Sequence, residues 1–362
     1  MFSKNRFLAL LTAAFSLVWL IGFSVSDAQQ TPPNPAVKSA TPSPTVSPTP
    51  TPDDEVIKVE SDVVNVLFTA QDHNRRLLTD LKQSDIQLLE NGQLQQPVAF
   101  SRQVDLPLSL AILIDVSLSQ QRTLPEEKAA AMSFLETVIR PAKDEVAVIS
   151  FTGEATLEQG MTNNLARLRR SVESVRIVQP AGYIGGGVST GTPPINGNSL
   201  QGSTAIWDAI WVTADEILGP APERTRRAII LVTDGLNNSG KKKLDDAVQA
   251  ALRSEAIIYS VGIGDNYIDG VDKGTLNKIS ERTGGRAYFP RDERELREAF
   301  NQIQEEMRSQ YLIAYEPSNQ ARDGSYRKID IQLTNAQLQK DKVKITNRQG
   351  YFAKTSPAVL KK

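Results

Sequence analysis

Leu108-Ser109-Leu110-Ala111-Ile112-Leu113-Ile114-Asp115-Val116-Ser117-Leu118-Ser119 decides how the chain reads. Leu108 to Ile114 is an apolar run of strand length, as expected of a strand buried on both faces of a sheet. It stops at an acid, and Asp115-x-Ser117-x-Ser119 then sets three polar side chains at alternate positions. On an extended loop that alternation turns them the same way.

Outward from this strand, helical and strand patterns alternate up to about Gln310. A helix follows from Pro125 to Ile139, with proline tolerated in its first turn, and Val146 to Phe151 is the next strand. Leu165 to Val175 and Thr204 to Leu218 read as helices, Ala228 to Val232 as a second central strand, and Leu244 to Arg253 as a helix. Ile257 to Val261, Thr275 to Arg282, Ala287 to Phe289 and Glu293 to Arg308 continue the alternation. The expected fold class is therefore α/β, a doubly wound and mostly parallel sheet with helices on both faces. Two further polar pieces belong to it: Thr233-Asp234-Gly235 closes the second central strand, and Gly202-Ser203-Thr204 opens a helix.

In such sheets, ligands bind beyond the carboxyl ends of the strands, where the strand order reverses. If the two central strands are neighbours there, Asp115, Ser117, Ser119, Thr204 and Asp234 converge. Three hydroxyls and two carboxylates are hard oxygen donors suited to Mg²⁺, with Mn²⁺ or Ca²⁺ as rivals. The set is poor in negative charge for a dication, so an acidic group on a partner is attracted to a remaining coordination position.

The flanks read differently. Residues 55–105 hold alternating β patterns, with Asn91-Gly92 as a hairpin turn. Residues 311–354 return to β. Neither flank has the strands for a stable sandwich of its own, so one β-domain built from both, with 106–310 inserted, is the economical reading; two separate small β-units are the alternative. At the amino end, Lys4 and Arg6 precede the uncharged apolar run Phe7 to Phe23 and the small residues of Ser26-Asp27-Ala28, so residues 1–28 read as a signal peptide. An uncleaved anchor is the other reading of that stretch. Residues 29–54 form a Pro/Thr/Ser-rich linker expected to be disordered, with eight prolines between Thr31 and Pro52 that preclude a packed core.

Asp115-x-Ser117-x-Ser119, Thr204 and Thr233-Asp234-Gly235 resemble the metal-ion-dependent adhesion site of von Willebrand factor A domains, the integrin I-type fold. The resemblance spans roughly Leu106 to Gln310. It implies that Ser117, Ser119 and Thr204 touch the metal, that Asp115 and Asp234 anchor it mainly through water, and that a ligand carboxylate completes the shell. Leu118 and Ser203 stand where the family usually or often has glycine, and neither position supplies a ligand. The wider layout is similar to the exported von Willebrand factor A-related proteins of acidobacteria. Asp85-Ile86-x-Leu88-Leu89-Glu90-Asn91-Gly92, Thr283-Gly284-Gly285-Arg286-Ala287, Arg308-Ser309-Gln310-Tyr311 and Gly350-Tyr351-Phe352 carry that likeness.

Composition narrows the function further. The chain has 41 basic and 42 acidic residues among 362, so no broad basic field is implied and bulk binding to nucleic acid is not expected. Membrane attachment is expected only through an uncleaved leader. No cysteine and one histidine, His73, exclude thiol catalysis and two-histidine dyads. Gly187-Val188-Ser189-Thr190-Gly191 spells a nucleophile elbow but lies in a Gly-rich loop with no histidine base beside it. Asp265 to Asp272 fails the calcium-loop pattern at Tyr267 and Leu276. Lys241-Lys242-Lys243 reads as a solvated run, and Trp207 with Trp211 as core. An enzyme is not expected, because the site has no general base beyond its anchoring aspartates. The expectation is an exported, metal-dependent protein-binding module of the periplasm, cell surface or exterior; a scaffold protein of the envelope with a metal-free A-type domain is the alternative. The long loop from Pro180 to Gly202, with Tyr183 near its start, leads into Thr204 and is expected to set partner specificity.

Amino-terminal sequencing of the mature protein should begin at Gln29. Finding Met1 on a membrane-bound form would point to an anchor instead.

Overall fold

The computed structural model describes residues 63–103, 106–178, 183–184, 187–188, 204–222, 225–264 and 270–356. The expected leader and linker, most of the loop between Pro180 and Gly202, and residues 265–269 lie outside them. Among the described residues no helix is long and apolar enough to cross a membrane.

The amino-terminal flank forms Val64–Gln71 (β1), Ile86–Glu90 (β2), Gln93–Gln95 (β3) and Pro97–Gln103 (β4). Asn91 (φ 50°) and Gly92 (φ 83°) make the tight turn of the β2–β3 hairpin, where both central residues need positive φ. The α/β region opens with Leu108–Asp115 (β5), Leu124–Val138 (α1), Glu145–Phe151 (β6), Ala155–Thr162 (β7) and Leu165–Ser174 (α2). Tyr183–Ile184 (β8) and Gly187–Val188 (β9) form a small antiparallel ribbon, and Ile206–Val212 (α3) continues as a wider turn through Thr213–Leu218. Arg226–Thr233 (β10), Leu244–Arg253 (α4), Ala256–Gly262 (β11), Lys273–Thr283 (α5), Ala287–Tyr288 (β12) and Glu293–Arg308 (α6) complete it. Gln310–Tyr315 (β13), Tyr326–Leu333 (β14), Ala336–Lys340 (α7), Lys344–Asn347 (β15) and Gly350–Phe352 (β16) follow.

The α/β region is built on a six-stranded sheet in the order β12-β11-β10-β5-β6-β7. All of its pairings are parallel except β6 with β7. Strand order reverses between β5 and β10, which are neighbours. The side chains of β5 alternate between two cores, as its period of two requires. Leu110, Ile112 and Ile114 pack with Phe134 and Leu135 of α1 and with Phe300 and Ile303 of α6. Ala111 and Leu113 pack with Ile206 and Ile210 of α3, Val248 of α4 and Leu276 of α5. Full burial of one such aliphatic side chain contributes about 1.5–3 kcal/mol, which is why this strand is apolar throughout. The antiparallel edge strand β7 was not expected: Ala155-Thr-Leu-Glu-Gln-Gly-Met-Thr162 is partly exposed and polar, so it lacks the apolar signature of the central strands.

The two flanks meet. One four-stranded sheet runs β15-β1-β13-β4 and another β16-β14-β2-β3, and each mixes strands from both flanks. In the first, β1 pairs antiparallel with β13, Val64 opposite Tyr315 and Phe68 opposite Tyr311. In the second, β14 pairs with β2, Ile329 opposite Glu90 and Leu333 opposite Ile86. Val66, Phe68, Leu88, Ile313, Ile329 and Ile331 fill the core between them. One acid is buried there: Glu90 Oε2 accepts from the hydroxyls of Tyr315 (2.7 Å) and Tyr351 (2.9 Å), and Arg327 lies 3.6 Å from its other oxygen.

Polar clamps join this β-domain to the α/β region. Glu306 Oε1 on α6 accepts from Gln71 Nε2 on β1 (2.8 Å) and from the Tyr288 hydroxyl (2.9 Å), with Arg286 2.9 Å away. Arg348 donates to Glu255 (3.1 Å) and to the Asn65 carbonyl (2.7 Å).

Removing residues 311–362 takes both partners from β1 and the long partner from β2. Amide exchange in Val64–Gln71 and Ile86–Glu90 should then rise sharply in the truncated protein. Unchanged protection there would count against one shared core.

Candidate functional site

The carboxyl ends of β5 and β10 lie side by side because the two strands pair in register up to Ile114 opposite Val232. Asp115 and Thr233 are the next residues on each, and their side chains meet: the Thr233 hydroxyl donates to Asp115 Oδ2 at 2.6 Å. The other oxygen, Oδ1, accepts from the Ser117 amide at 2.9 Å, which folds the Asp-x-Ser-x-Ser loop back over the strand end. Leu118–Gln120 then makes a single tight helical turn, and the hydroxyls of Ser117 and Ser119 come within 2.9 Å of each other.

Asp234 follows Thr233, and its Oδ1 accepts from the Leu236 amide at 2.9 Å. Gly235 between them has φ 86°, and a Cβ there would lie 3.0 Å from Leu276 Cγ and 3.2 Å from the Asp272 carbonyl oxygen. The glycine of Thr-Asp-Gly is thus required by backbone shape and by close packing.

Thr204 reaches the same edge from the start of α3. Its amide donates to Asn238 Oδ1 at 2.6 Å, and its carbonyl accepts from the amides of Asn238 (3.1 Å) and Ser239 (3.2 Å). The next amide, Ala205, donates to the Thr152 carbonyl just beyond β6 at 2.7 Å. The structure therefore brings Asp115, Ser117, Ser119 and Asp234 to neighbouring strand ends and pins Thr204 to the loop that follows Asp234. All but Ser119, which is half-buried, are buried.

Burial dominates the electrostatics. It pushes the Asp115 carboxyl up to about 6 against the pull of hydrogen bonds from Thr233 and Ser117, and the charge of Asp234 adds to the rise. Glu127, in the first turns of α1, was not singled out in the sequence. It is 1% exposed, and neither of its carboxylate oxygens has a hydrogen-bond partner among the described residues. Burial pushes it up to about 8, and the charges of Asp115 and Asp234 add to this, while the Thr123 hydroxyl eases it. Among the described residues no three His, Cys, Asp or Glu side chains are placed to hold a metal ion. A cation here would rest chiefly on hydroxyl oxygens. The donor set fits a hard dication, and the crowding of buried acids is a field that a dication relieves.

Two family models, each described as von Willebrand factor type A domain, match residues 195–302 and 110–237. The region that the two matches span has the von Willebrand factor type A fold. Its sheet, helices and extra antiparallel sheets accord with that fold. A von Willebrand factor type A protein from Catenulispora acidiphila aligns at 15% identity and TM-score 0.45, over 84% of this chain and 76% of its own. Proximal thread matrix protein 1 from the mussel byssus aligns at 17% identity and TM-score 0.45, over 60% of this chain and 51% of its own. The present chain thus spans about half the length of the mussel protein. A second structure of the mussel protein, at 19% identity and TM-score 0.45, covers 60% of this chain and 50% of its own and has a zinc-occupied MIDAS motif. An aerotolerance-related membrane protein from Bacteroides fragilis aligns at 20% identity and TM-score 0.41, over 55% of this chain and all of its own. No curated protein matches the sequence.

Outside the site of the A domain, the polar signals set aside earlier take ordinary places. Trp207 is buried in the α3 side of the core, and Trp211 carries the Lys242 ammonium 3.8 Å above its ring. The amides of Lys241 and Lys242 donate to Asp208. His73 is exposed in a turn. Ser189, most of the acidic segment 265–272 and the specificity-loop side chains, Tyr183 included, lie outside the described residues.

Glu127 makes the stability of the metal-stripped protein depend on pH. Its folded value, about 8, is above the ordinary 4.5, so the folded state holds its proton more tightly than the unfolded one. That contribution is complete below pH 4.5 and is lost as pH rises to about 8. With chelator present, the melting temperature should fall between pH 6 and pH 8, and Glu127→Gln should shrink that fall. An equal fall in both proteins would remove Glu127 as its source.

Proposed function

We propose that this protein is an exported protein-binding module of the adhesion type, which engages its partner through a divalent cation at the carboxyl edge of the A-domain sheet. The observation that carries this reading is the meeting of Asp115, Ser117, Ser119 and Asp234 at the ends of β5 and β10, with Thr204 pinned beside them. Domains of this type commonly mediate protein interactions and often bind a divalent metal.

Ser117, Ser119 and Thr204 are the direct ligands in this reading. Asp115 and Asp234 orient them: both oxygens of Asp115 are already engaged by Thr233 and Ser117, which suits an anchor more than a ligand. Mg²⁺ is the expected ion, with Mn²⁺ or Ca²⁺ as substitutes, and it would supply a Lewis-acidic coordination position to a carboxylate on the partner. Because hydroxyls contribute no formal charge, the bound ion keeps positive charge to offer that carboxylate. Asp115 and Asp234 each hold the loop that follows them, an orienting role rather than that of a general base, so binding rather than catalysis is proposed. Export rests on the amino-terminal segment, whose periplasmic, surface or extracellular destination follows from it.

Asp234→Ala and Ser117→Ala should each weaken Mg²⁺ binding by tenfold or more, on the order seen when metal-site partners are removed. Circular dichroism should show the fold intact, because both residues lie in loops at the sheet edge. A pull-down from the native envelope with and without chelator should lose its partner in chelator and in both variants. Metal affinity equal to wild type in both variants would remove the site; partner capture that ignores chelator would leave a scaffold role.

A further inference from the structure

Helix α1 presents Leu124, Ala131, Phe134, Leu135 and Val138 to the sheet, an apolar stripe of helical period. Glu127 lies inside that stripe, three residues after Leu124 and four before Ala131, and its amide donates to the carbonyl of Thr123 (3.0 Å), whose hydroxyl is bound to Gln120 of the turn that ends the Asp-x-Ser-x-Ser loop. A buried carboxyl without a partner is costly, and the rest of α1 meets the sheet with apolar groups.

Of the polar groups around it only the Thr123 hydroxyl eases its charge, and none makes a well-formed hydrogen bond to it among the described residues. The Thr123 hydroxyl, one turn earlier, is directed at Gln120 Oε1 (3.0 Å) and at the Gln120 carbonyl (3.3 Å). Gln120 is fully buried, and its amide nitrogen donates to the Ile263 carbonyl at 3.2 Å. Lys128 points away, donating to the carbonyls of Glu173 (2.7 Å) and Val175 (2.9 Å). The charges that bear most on Glu127 are those of Asp115, Asp234 and Glu126, all acidic. A hydrophobic residue would fill this position without cost, and a positive charge is what Asp115, Asp234 and Glu127, all buried, lack.

We propose that Glu127 is a further acidic member of the metal site, holding the bound dication from the α1 side through an intervening water. This rests on the reading of the site as a divalent-cation centre. In this proposal Glu127 stands outside the inner shell, which Ser117, Ser119 and Thr204 supply. It supplies negative charge that the three hydroxyls do not, and the ion with its waters is the partner its carboxylate lacks. Groups that act on a metal through its ligands or waters typically alter affinity by about 10–100-fold.

The test is calorimetric titration of the chelator-stripped full chain with Mn²⁺ and Mg²⁺, in wild type, Glu127→Gln, Glu127→Met and Ser117→Ala. Both Glu127 variants should keep the wild-type circular dichroism spectrum and melt no lower than wild type when stripped, because each removes an unpartnered buried acid. Both should bind Mn²⁺ on the order of tenfold more weakly, with a smaller rise in melting temperature on adding metal. Glu127→Met keeps the measurement available if the glutamine variant folds poorly. Wild-type affinity in either folded variant overturns the role of Glu127 and leaves the site standing if Ser117→Ala still loses the ion. No Mn²⁺ or Mg²⁺ binding by wild type overturns the site and this role together.

Discussion

The hydrogen bond from Thr233 to Asp115, 2.6 Å long and sealed from water, joins the ends of the two central strands. It can form only if β5 and β10 are neighbours and pair in the register that sets Ile114 opposite Val232. A slip of one residue would turn Leu110, Ile112 and Ile114 from one core to the other and separate the two side chains. Strand register, the two flanking cores and the site geometry therefore depend on one another. The carboxylate held by this bond also orders the serine loop, since its second oxygen takes the Ser117 amide. The functional loops thus inherit rigidity from the sheet rather than from their own packing.

The β-domain sits where this arrangement leaves room for it. The chain leaves it just before β5 and returns to it just after α6, and its clamps engage Glu255, which precedes β11, and Glu306, near the end of α6. These points lie toward the amino ends of the central strands. The eight residues of β5 span about 25 Å at roughly 3.3 Å per residue, so the carboxyl edge is held well away from the strand's own connection to the β-domain. Two sheets woven from distant segments resist separation because each loses pairing when either flank is removed. Buried charge reinforces the arrangement: Glu90 is met by two tyrosine hydroxyls and an arginine and Glu306 by one of each, a pairing that a carboxylate needs once it leaves water.

The acids near the site are treated differently from these two. Glu90 and Glu306 have arginine partners, whereas the charges bearing on Glu127 are those of other acids. Asp115 has hydrogen-bond donors but an acidic neighbour in Asp234. Within one molecule, acids buried in the structural junctions are neutralised and acids beneath the serine loop are not. That contrast is what the proposed cation would answer.

Local pattern was enough for much of this. The apolar run into Asp115, the helical stripes that follow it and the Thr-Asp-Gly ending of β10 each declare themselves over a few residues, because a strand buried on both faces must be apolar and a turn with φ 86° calls for glycine. The α/β class follows from those signals, whereas the adjacency of the two motif loops rests on the pairing of β5 with β10. The edge strand β7 did not show itself, since a strand with one free edge and a half-exposed face has no need of the apolar pattern. Asn238, which orients Thr204, is one polar residue among several in a loop, and nothing local distinguishes it. Nothing local sets Glu127 apart; its significance lies in which charges surround it, and one of these, Asp234 just after β10, is far along the chain. Sequence by itself determined the elements and the residue types of the site, because short-range sterics and hydrophobic period act within a few residues. The pairing of flanks 200 residues apart and the electrostatic environment of each buried acid were decided by tertiary structure alone, because they depend on groups that only the packed sheet brings together.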